Sequence, residues 1–306
     1  MDCCPDLDTR YHSARERTEE NEEHTALLPH LLRRDMMKVT LIDHTREPLA
    51  LLIYTKNTRL QGGSSLRDIQ LWPMDKKLEH LAYMRDTIKS SWEFVNYTFE
   101  ITGVTRAFTH QLVRTRNGRY AQESMRTVDV SEAEIKKPDY IIAKEKEAAA
   151  FPGNASFWAG RTLDDFASDA MGNYRWLLDA DIPPQDARGI LPTNVCTSII
   201  AQFSLRTLHE MASVRLCTRT QGEYQDVFRA MKAAVVEVHP WAEDFIQVAC
   251  VNTGVCIFPR YKKCPIQKYT YTGNDAKDKA VIACVKDAFE SERHEAIPTA
   301  KDGRTM

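Results

Sequence analysis

The hydrophobic period of this chain changes twice within one short stretch. From Asp75 to Ser90, the residues Leu78, Leu81, Tyr83, Met84 and Ile88 set an apolar stripe on one side of a helix. Across Val95–Ile101 the pattern turns to alternation, with Val95, Tyr97, Phe99 and Ile101 set against Asn96, Thr98 and Glu100, as in a half-buried strand. Over Thr105–Thr115 it returns to helix, with Phe108, Leu112 and Val113 as the buried side. Helix, strand and helix in that order predict a mixed α/β (α+β) domain.

A strand is expected at Val39–Asp43. The run Pro48–Tyr54 is apolar throughout, and periodicity alone does not separate helix from strand there. Residues 57–74 read as loop, with Gly62, Gly63, Ser64 and Ser65 at the tip. Asn154–Ala180 reads as a long amphipathic helix whose core side is Phe157, Leu163, Phe166, Tyr174 and Leu177. Pro183 and Pro184 close it and open a short segment carrying Arg188. Ser204–Leu216, Gln221–His239 and Asn274–Arg293 read as further helices, while Trp241–Pro259 shows no clear pattern. No linker splits the chain, so one α/β domain with two terminal additions is expected.

The chain has 306 residues, enough for a full core, and a net charge of −2. Nothing global therefore favours nucleic acid or an anionic membrane, and any anion binding must be local. No apolar run approaches the roughly 20 residues needed to cross a bilayer. The N-terminus is polar from Asp2 through His24, unlike a secretion signal, and a cytoplasmic location is expected. None of the eight cysteines forms a C-x-x-C pair, and reduced thiols are expected. Cys256 and Cys264 could join a metal site, but nothing in the spacing demands one and no metal is expected.

Local charge is concentrated between Arg106 and Arg126. That stretch holds five arginines, no lysine and one acid, Glu123. Arginine alone, without the Lys/Glu mixture of a merely solvated face, supplies planar forked donors suited to phosphate, carboxylate or a heterocycle edge. His110, Gln111, Tyr120, Gln122 and Ser124 add neutral hydrogen-bonding groups. His110 reads as structural, Tyr120 as packing, and the Tyr97/Phe99 stripe as core. A turn at Asn117-Gly118 is expected to bring Tyr120–Arg126 back toward Arg114 and Arg116.

Arg114-Thr115-Arg116, seven residues, then Ser124 resembles the Arg-His-Arg-x7-Ser signature of the flavin-dependent thymidylate synthases (ThyX). The lead-in Thr109-His110-Gln111-Leu112-Val113 is also similar. So are Ala187-Arg188-Gly189-Ile190-Leu191-Pro192-Thr193-Asn194, Leu205-Arg206-Thr207-Leu208, Val214-Arg215-Leu216, Gln221-x-Glu223 and Pro240-Trp241. The blocks fall in the family's order over about residues 38–245. The resemblance implies a ThyX-like fold, with a central antiparallel-type sheet, surrounding helices and a homotetramer with shared sites. It divides the chain into an extension over 1–36, a catalytic domain over 37–245 and an extension over 246–306.

The resemblance also implies reductive C5-methylation of a uridine monophosphate, UMP or dUMP. Methylenetetrahydrofolate would supply the carbon, FAD would be the cofactor and NADPH the reductant. Arg215 and Ser124 then fall at reacting positions, Arg215 polarising the uracil ring and Ser124 donating a hydrogen bond. Gln111, Arg114, Ser124, Arg126, Arg188 and Arg215 would bind the nucleotide, with Arg188 from a neighbouring subunit. Arg114, Thr115, Arg116, Gln122, Ser204, Arg206, Glu210 and Arg219 would face FAD. No protein thiol is required, and the Pro-Cys-His motif of cysteine-dependent thymidylate synthases is missing. Cys196 and Cys217 read as packing.

Thr115 replaces the family's central His, Ser204 and Glu210 replace asparagines, Arg219 a His, and Gln122 a Glu. The segment Ser90-Ser91-Trp92-Glu93-Phe94 lacks the histidines common there. Such drift on the flavin side suggests a specialised branch, such as the UMP methylases of polyoxin-type nucleoside-antibiotic pathways. It also leaves two other readings: a flavin-less nucleotide-binding regulator, or an ordinary dUMP-specific thymidylate synthase.

Overall fold

The computed structural model describes residues 37–59, 63–85, 87, 89–150, 162–253, 256–258 and 264. The polar extension over 1–36 and the helix expected at Asn274–Arg293 lie outside them, as do Gly62, Ile88 and Phe157. Strands β1 (Lys38–His44), β2 (Asn96–Thr105), β3 (Arg119–Gln122) and β4 (Cys196–Ser204) form one antiparallel sheet in the order β1-β2-β4-β3.

The alternation expected in β2 is present: Tyr97, Phe99 and Ile101 are fully buried, while Asn96, Thr98 and Glu100 are half-buried. The pairing shifts register between Ile101 and Val104, where Gly103 adopts φ 63°. That left-handed conformation suits glycine, and it lets the strand bulge before it ends. The sequence reading missed β4, which pairs with both β2 and β3. Thr197, Ile199, Ala201 and Phe203 face the core, but Ile200 between them is 42% exposed on the open face. An apolar residue on the solvent side hides the alternation.

Helices cover the other face. The undecided run at Pro48 is helix α1 (Pro48–Arg59), opened by a proline at its first turn. Leu49, Leu52, Ile53 and Lys56 recur on its buried side, with the Lys56 ammonium 4.2 Å from the Tyr83 ring centre. The stretch expected to be loop contains α2 (Leu66–Gln70), started by a Ser65–Asp68 capping box. Helix α3 (Met74–Arg85) stops short of the expected Ser90, and Lys89–Phe94 forms a 3₁₀ turn that buries Trp92. Leu81 and Met84 are buried as expected, but Leu78 and Tyr83 are exposed.

Helix α4 (Arg106–Leu112) is shorter than expected and leaves Val113 exposed. Helices α5 (Asp139–Ala150), α6 (Leu163–Asp179) and α7 (Pro184–Ala187) follow, with a 3₁₀ turn over Arg188–Ile190. Within α6, Tyr174 is buried while Phe166 is 45% exposed, against expectation. A small second core joins Val130, Ala133, Tyr174, Ala187 and Val195. Helices α8 (Leu205–Arg215) and α9 (Gly222–Val238) pack on the sheet, a 3₁₀ turn spans Pro240–Asp244, and α10 (Ala249–Thr253) follows. No helix among the described residues is long and apolar enough to cross a membrane.

β1 is tied to the end of α9 by His239, whose ring meets His44 edge-on at 4.8 Å and lies 3.1 Å from the Tyr97 hydroxyl. Burial, with the His44 charge adding to it, lowers the His239 pKa from 6.5 to about 4. The native state then binds fewer protons than the unfolded chain between those values. This stability is present above about pH 6.5 and is lost as pH falls toward 4. On acidification from neutral pH to pH 4, the drop in unfolding free energy in urea is expected to be larger for the wild type than for His239→Gln. The excess should reach up to about 3 kcal/mol; equal drops would show that His239 is not the coupled group.

Candidate functional site

The site begins where β2 passes into α4. Thr105 caps that helix, its hydroxyl oxygen accepting the Phe108 N–H at 3.1 Å. The same residue is gripped from α9. The Thr105 N–H donates to Glu223 Oε1 at 3.0 Å, and its hydroxyl donates to Glu223 Oε2 at 2.5 Å. Lys136 stands 3.4 Å from the carboxylate, whose side chain is only 13% exposed. This clamp brings the start of α9 against α4, where the Gln111 amide donates to Gln221 Oε1.

One residue past Glu223, Tyr224 is fully buried beneath Arg215, whose guanidinium carbon lies 4.2 Å from the ring centre. Burial raises the Tyr224 pKa, while the adjacent Arg215 charge and the Thr115 side chain pull it down. The phenol oxygen completes no hydrogen bond among the described residues. Tyr224 thus joins the Thr115 turn to the end of α8. Sequence reasoning matched its neighbours Gln221 and Glu223 but gave Tyr224 no role, because a single tyrosine in an amphipathic helix looks like packing.

The signature turn is held from inside. The Tyr120 hydroxyl donates to the carbonyls of Thr115 at 2.7 Å and Leu112 at 3.0 Å, and its ring meets Phe203 edge-on. Tyr120 is packing, as expected, but packing that shapes the turn. Gly118 serves it by close approach, since its φ is not in the left-handed region. A Cβ there would collide with the Tyr120 hydroxyl and come within 2.6 Å of the Phe203 ring. His110, expected to be structural, is exposed.

The expected ligands fall into separate groups. Arg114, Arg116 and Arg126 carry guanidiniums that no described side chain or carbonyl engages, and all three residues are exposed. Ser124 is also exposed, its hydroxyl oxygen accepting the Arg126 N–H at 3.2 Å. Gln122 donates to the Thr109 hydroxyl at 2.9 Å. Arg188 donates from Nε to the Gln185 carbonyl, and its charge reaches Arg106 of its own chain. Burial first, and that charge too, lower the Arg106 pKa against the opposing pull of Glu123. Arg219 stacks on Phe258, 4.6 Å from the ring centre.

Ser204 and Arg206 lie at the other end of α8, Arg206 about 14 Å from Arg215 by the helical rise, with Glu210 one turn further along the helix. Ser204 caps the helix and donates to Glu93 Oε2 at 2.8 Å. Arg206 is bound by Glu210 at 2.9 Å and by Glu93 at 3.4 Å. Nearby, His209 Nδ1 donates to the Phe245 carbonyl at 2.7 Å, so its Nε2 accepts from the Lys89 ammonium at 2.6 Å. Burial, aided by the Lys89 charge, keeps the His209 pKa below its ordinary value despite the Phe245 bond. Glu93, Lys89 and His209 were not legible as a cluster, because they lie in separate segments.

The family model for thymidylate synthase complementing protein (Thy1) matches residues 40–241. The flavin-dependent thymidylate synthase of Sulfurisphaera tokodaii is 30% identical over 220 residues, covering 70% of this chain and 79% of that protein. The enzyme of the same name from Nitratidesulfovibrio vulgaris is 30% identical over 233 residues, covering 72% and 90%. The fold is shared with a crystal structure of a UMP/dUMP methylase PolB from Streptomyces cacaoi bound with 5-Br dUMP. The TM-score is 0.53 at 20% identity, over 69% of this chain and 94% of that one.

Replacing Glu223 by Gln keeps the shape of the clamp but leaves Thr105 facing one amide NH₂. The expected loss is about 1–3 kcal/mol of unfolding free energy in chemical denaturation. A change below about 0.5 kcal/mol would mean that the two hydrogen bonds do not hold α9 to α4.

Proposed function

Because the chain belongs to the thymidylate synthase complementing protein family, the flavin-dependent thymidylate synthases, we propose that it methylates C5 of a uridine monophosphate, UMP or dUMP. Methylenetetrahydrofolate would give the carbon, FAD would be the bound cofactor and NADPH the reductant. One observation carries the reading: Arg215 is fixed over Tyr224 beside a turn whose arginines no acid neutralises. The Streptomyces cacaoi fold neighbour is a UMP/dUMP methylase, which supports testing both sugars.

Uracil C5 attacks an electrophile poorly until its carbonyl oxygens are polarised. Arg215 would meet a carbonyl oxygen and stabilise the enolate-like charge that develops there. Stacking on Tyr224 fixes its plane in advance, so little reorganisation is needed. Arg126 and Ser124 would take the nucleotide phosphate, Ser124 by its hydroxyl. Gln111 would present its amide to the ring edge. Arg188 would reach the phosphate of a neighbouring subunit in a homotetramer.

The residues at the turn fit FAD. Unpartnered guanidiniums at Arg114 and Arg116 suit its phosphates, with Thr115, Gln122 and Arg219 around them. At the start of α8, Ser204, Arg206 and Glu210 fit less well, since two carboxylates already hold Arg206. There they suit hydroxyl groups better than phosphates. Bound FAD would supply the carrier for the one-carbon unit and the reducing equivalents.

Tritium release from [5-³H]UMP and [5-³H]dUMP, assayed with FAD, NADPH and methylenetetrahydrofolate, tests the reading. Release from at least one nucleotide is expected, and release from neither would overturn it. Arg215→Ala is expected to lower turnover by about 10²-fold or more, and near-normal turnover would remove its assigned role. Arg188→Ala is expected to raise the nucleotide KM by about tenfold with little change in turnover. An unchanged KM would refute the phosphate contact.

A further inference from the structure

A groove of about 520 Å³ runs between α3 and the turn at Pro240–Asp244. Met74, Leu78 and Leu81 form one wall, and Pro240, Trp241 and Phe245 the other. Its floor is fixed. Phe245 is buried, with its ring edge-on to Trp92 at 4.7 Å and to Trp241 at 5.8 Å. Arg85, the last residue of α3, reaches Asp244 across one end at 3.9 Å. The α3 wall is open: Met74 is 57% exposed and Leu78 39%. Side chains three and four apart on a helix share a face, so Met74, Leu78 and Leu81 make one stripe. An apolar stripe facing water beside an apolar floor marks a surface that something covers.

The chain carries a matching element of its own. A helix is expected from the sequence over Asn274–Arg293, outside the described residues. On that period Val281, Ile282, Val285, Ala288 and Phe289 share one side, and Lys279, Lys286, Asp287 and Glu290 the other. The stripe from Val281 to Phe289 is about 12 Å long, and the side of α3 from Met74 to Arg85 about 16 Å. Helices draw most of their stability from packing such a face, so this stripe needs a surface to lie on.

The tether permits the match. Phe245 is tied to α8, where its carbonyl accepts from His209 Nδ1 at 2.7 Å. The described chain runs on through α10 to Phe258, which lies under Arg219 just past the end of α8. His209 and the end of α8 at Arg215 are only about 9 Å apart. Residues 265–274, beyond the buried Cys264, reach up to about 33 Å when extended. The segment before β1 suits the groove less. Its apolar run Ala26–Leu32 is broken by Pro29. It enters β1 at Lys38, about 20 Å along the strand from His44, the residue that meets His239 beside the groove.

We propose that Val281–Phe289 docks as a helix in the groove of its own chain, with its apolar stripe against Met74, Leu78 and Leu81. This is the packing of an amphipathic helix in an apolar groove, with the linker keeping the two partners together. The charged side of the helix stays in water. The docked segment closes over Phe245, whose carbonyl fixes His209, and so braces α8 from outside. The proposal does not rest on the nucleotide chemistry, and either can fail alone.

Full-length protein carrying p-benzoylphenylalanine in place of Leu78 tests the contact. Irradiation is expected to join position 78 to residues 281–289, located by peptide mass spectrometry, in a product of one-chain mass on a denaturing gel. Adducts to residues 25–36, a product of two-chain mass, or no adduct within 281–289 would overturn the proposal. Limited trypsin digestion gives a second readout. Val285→Glu sets a charge in the middle of the stripe and is expected to speed cleavage after Lys279 and Lys286 by about tenfold. Leu78→Glu is expected to do the same from the other side of the contact. Trp176→Glu, at an exposed residue of α6, is expected to leave those rates unchanged. Equal rates in wild type and Val285→Glu, or an equal rise in Trp176→Glu, would sink the docking. Val285→Glu leaves every groove residue intact, so it reads the contact even where Leu78→Glu fails to fold.

Discussion

The arrangement of this protein turns on the Glu223 carboxylate, which takes two hydrogen bonds from one residue, Thr105. Thr105 ends β2 and caps α4, and Glu223 opens α9, so one side chain joins sheet, capping residue and helix. Both oxygens are engaged and largely shielded, a setting in which charge-assisted bonds contribute about 1.5–3 kcal/mol each. The consequence is positional. With α9 fixed at its first turn, Gln221 must face Gln111, and Tyr224 must lie under the end of α8. The Arg215 guanidinium is therefore oriented by the fold.

Charge is distributed unevenly along α8. At its end, Arg215 rests on the Tyr224 ring, which the Thr115 turn also meets, and the flanking Arg114 and Arg116 have no carboxylate partners among the described residues. At its start, Glu93 and Glu210 surround Arg206, and with the Lys89 ammonium beside His209 the corner is already formally neutral. An anionic group gains most from the uncompensated end, where no existing ion pair must first be broken. The start of the helix offers it less, even though helix N-termini ordinarily attract anions. The two ends thus suit different parts of a large, unevenly charged ligand.

The helix–strand–helix pattern between Asp75 and Thr115 was legible because each element buries one face only, and a single buried face leaves a period in the sequence. Strand β4 was not, because Ile200 places an apolar side chain on the open face where alternation demands a polar one. The arginine turn was legible from composition and spacing. The partners that decide its electrostatics were not: Glu93 is joined to Arg206 only by tertiary folding, and Glu223 reaches Thr105 across more than a hundred residues. Gly118 was legible as a turn residue, but for the wrong reason. Its lack of a Cβ makes room for Tyr120 and Phe203, and no left-handed backbone is involved.

The substitution of Thr115 at the centre of the signature is better understood from its neighbours than from the residue it replaces. Its carbonyl accepts the Tyr120 hydroxyl, which fixes the turn without any help from the side chain. Its side chain lies by the Tyr224 hydroxyl, on the same aromatic ring that carries Arg215. A small hydroxyl there keeps a polar group next to a buried phenol that otherwise completes no hydrogen bond. Thr115 is thus compatible with a turn built from the inside by Tyr120 and Tyr224. The positive charge of the signature rests on the flanking guanidiniums of Arg114 and Arg116.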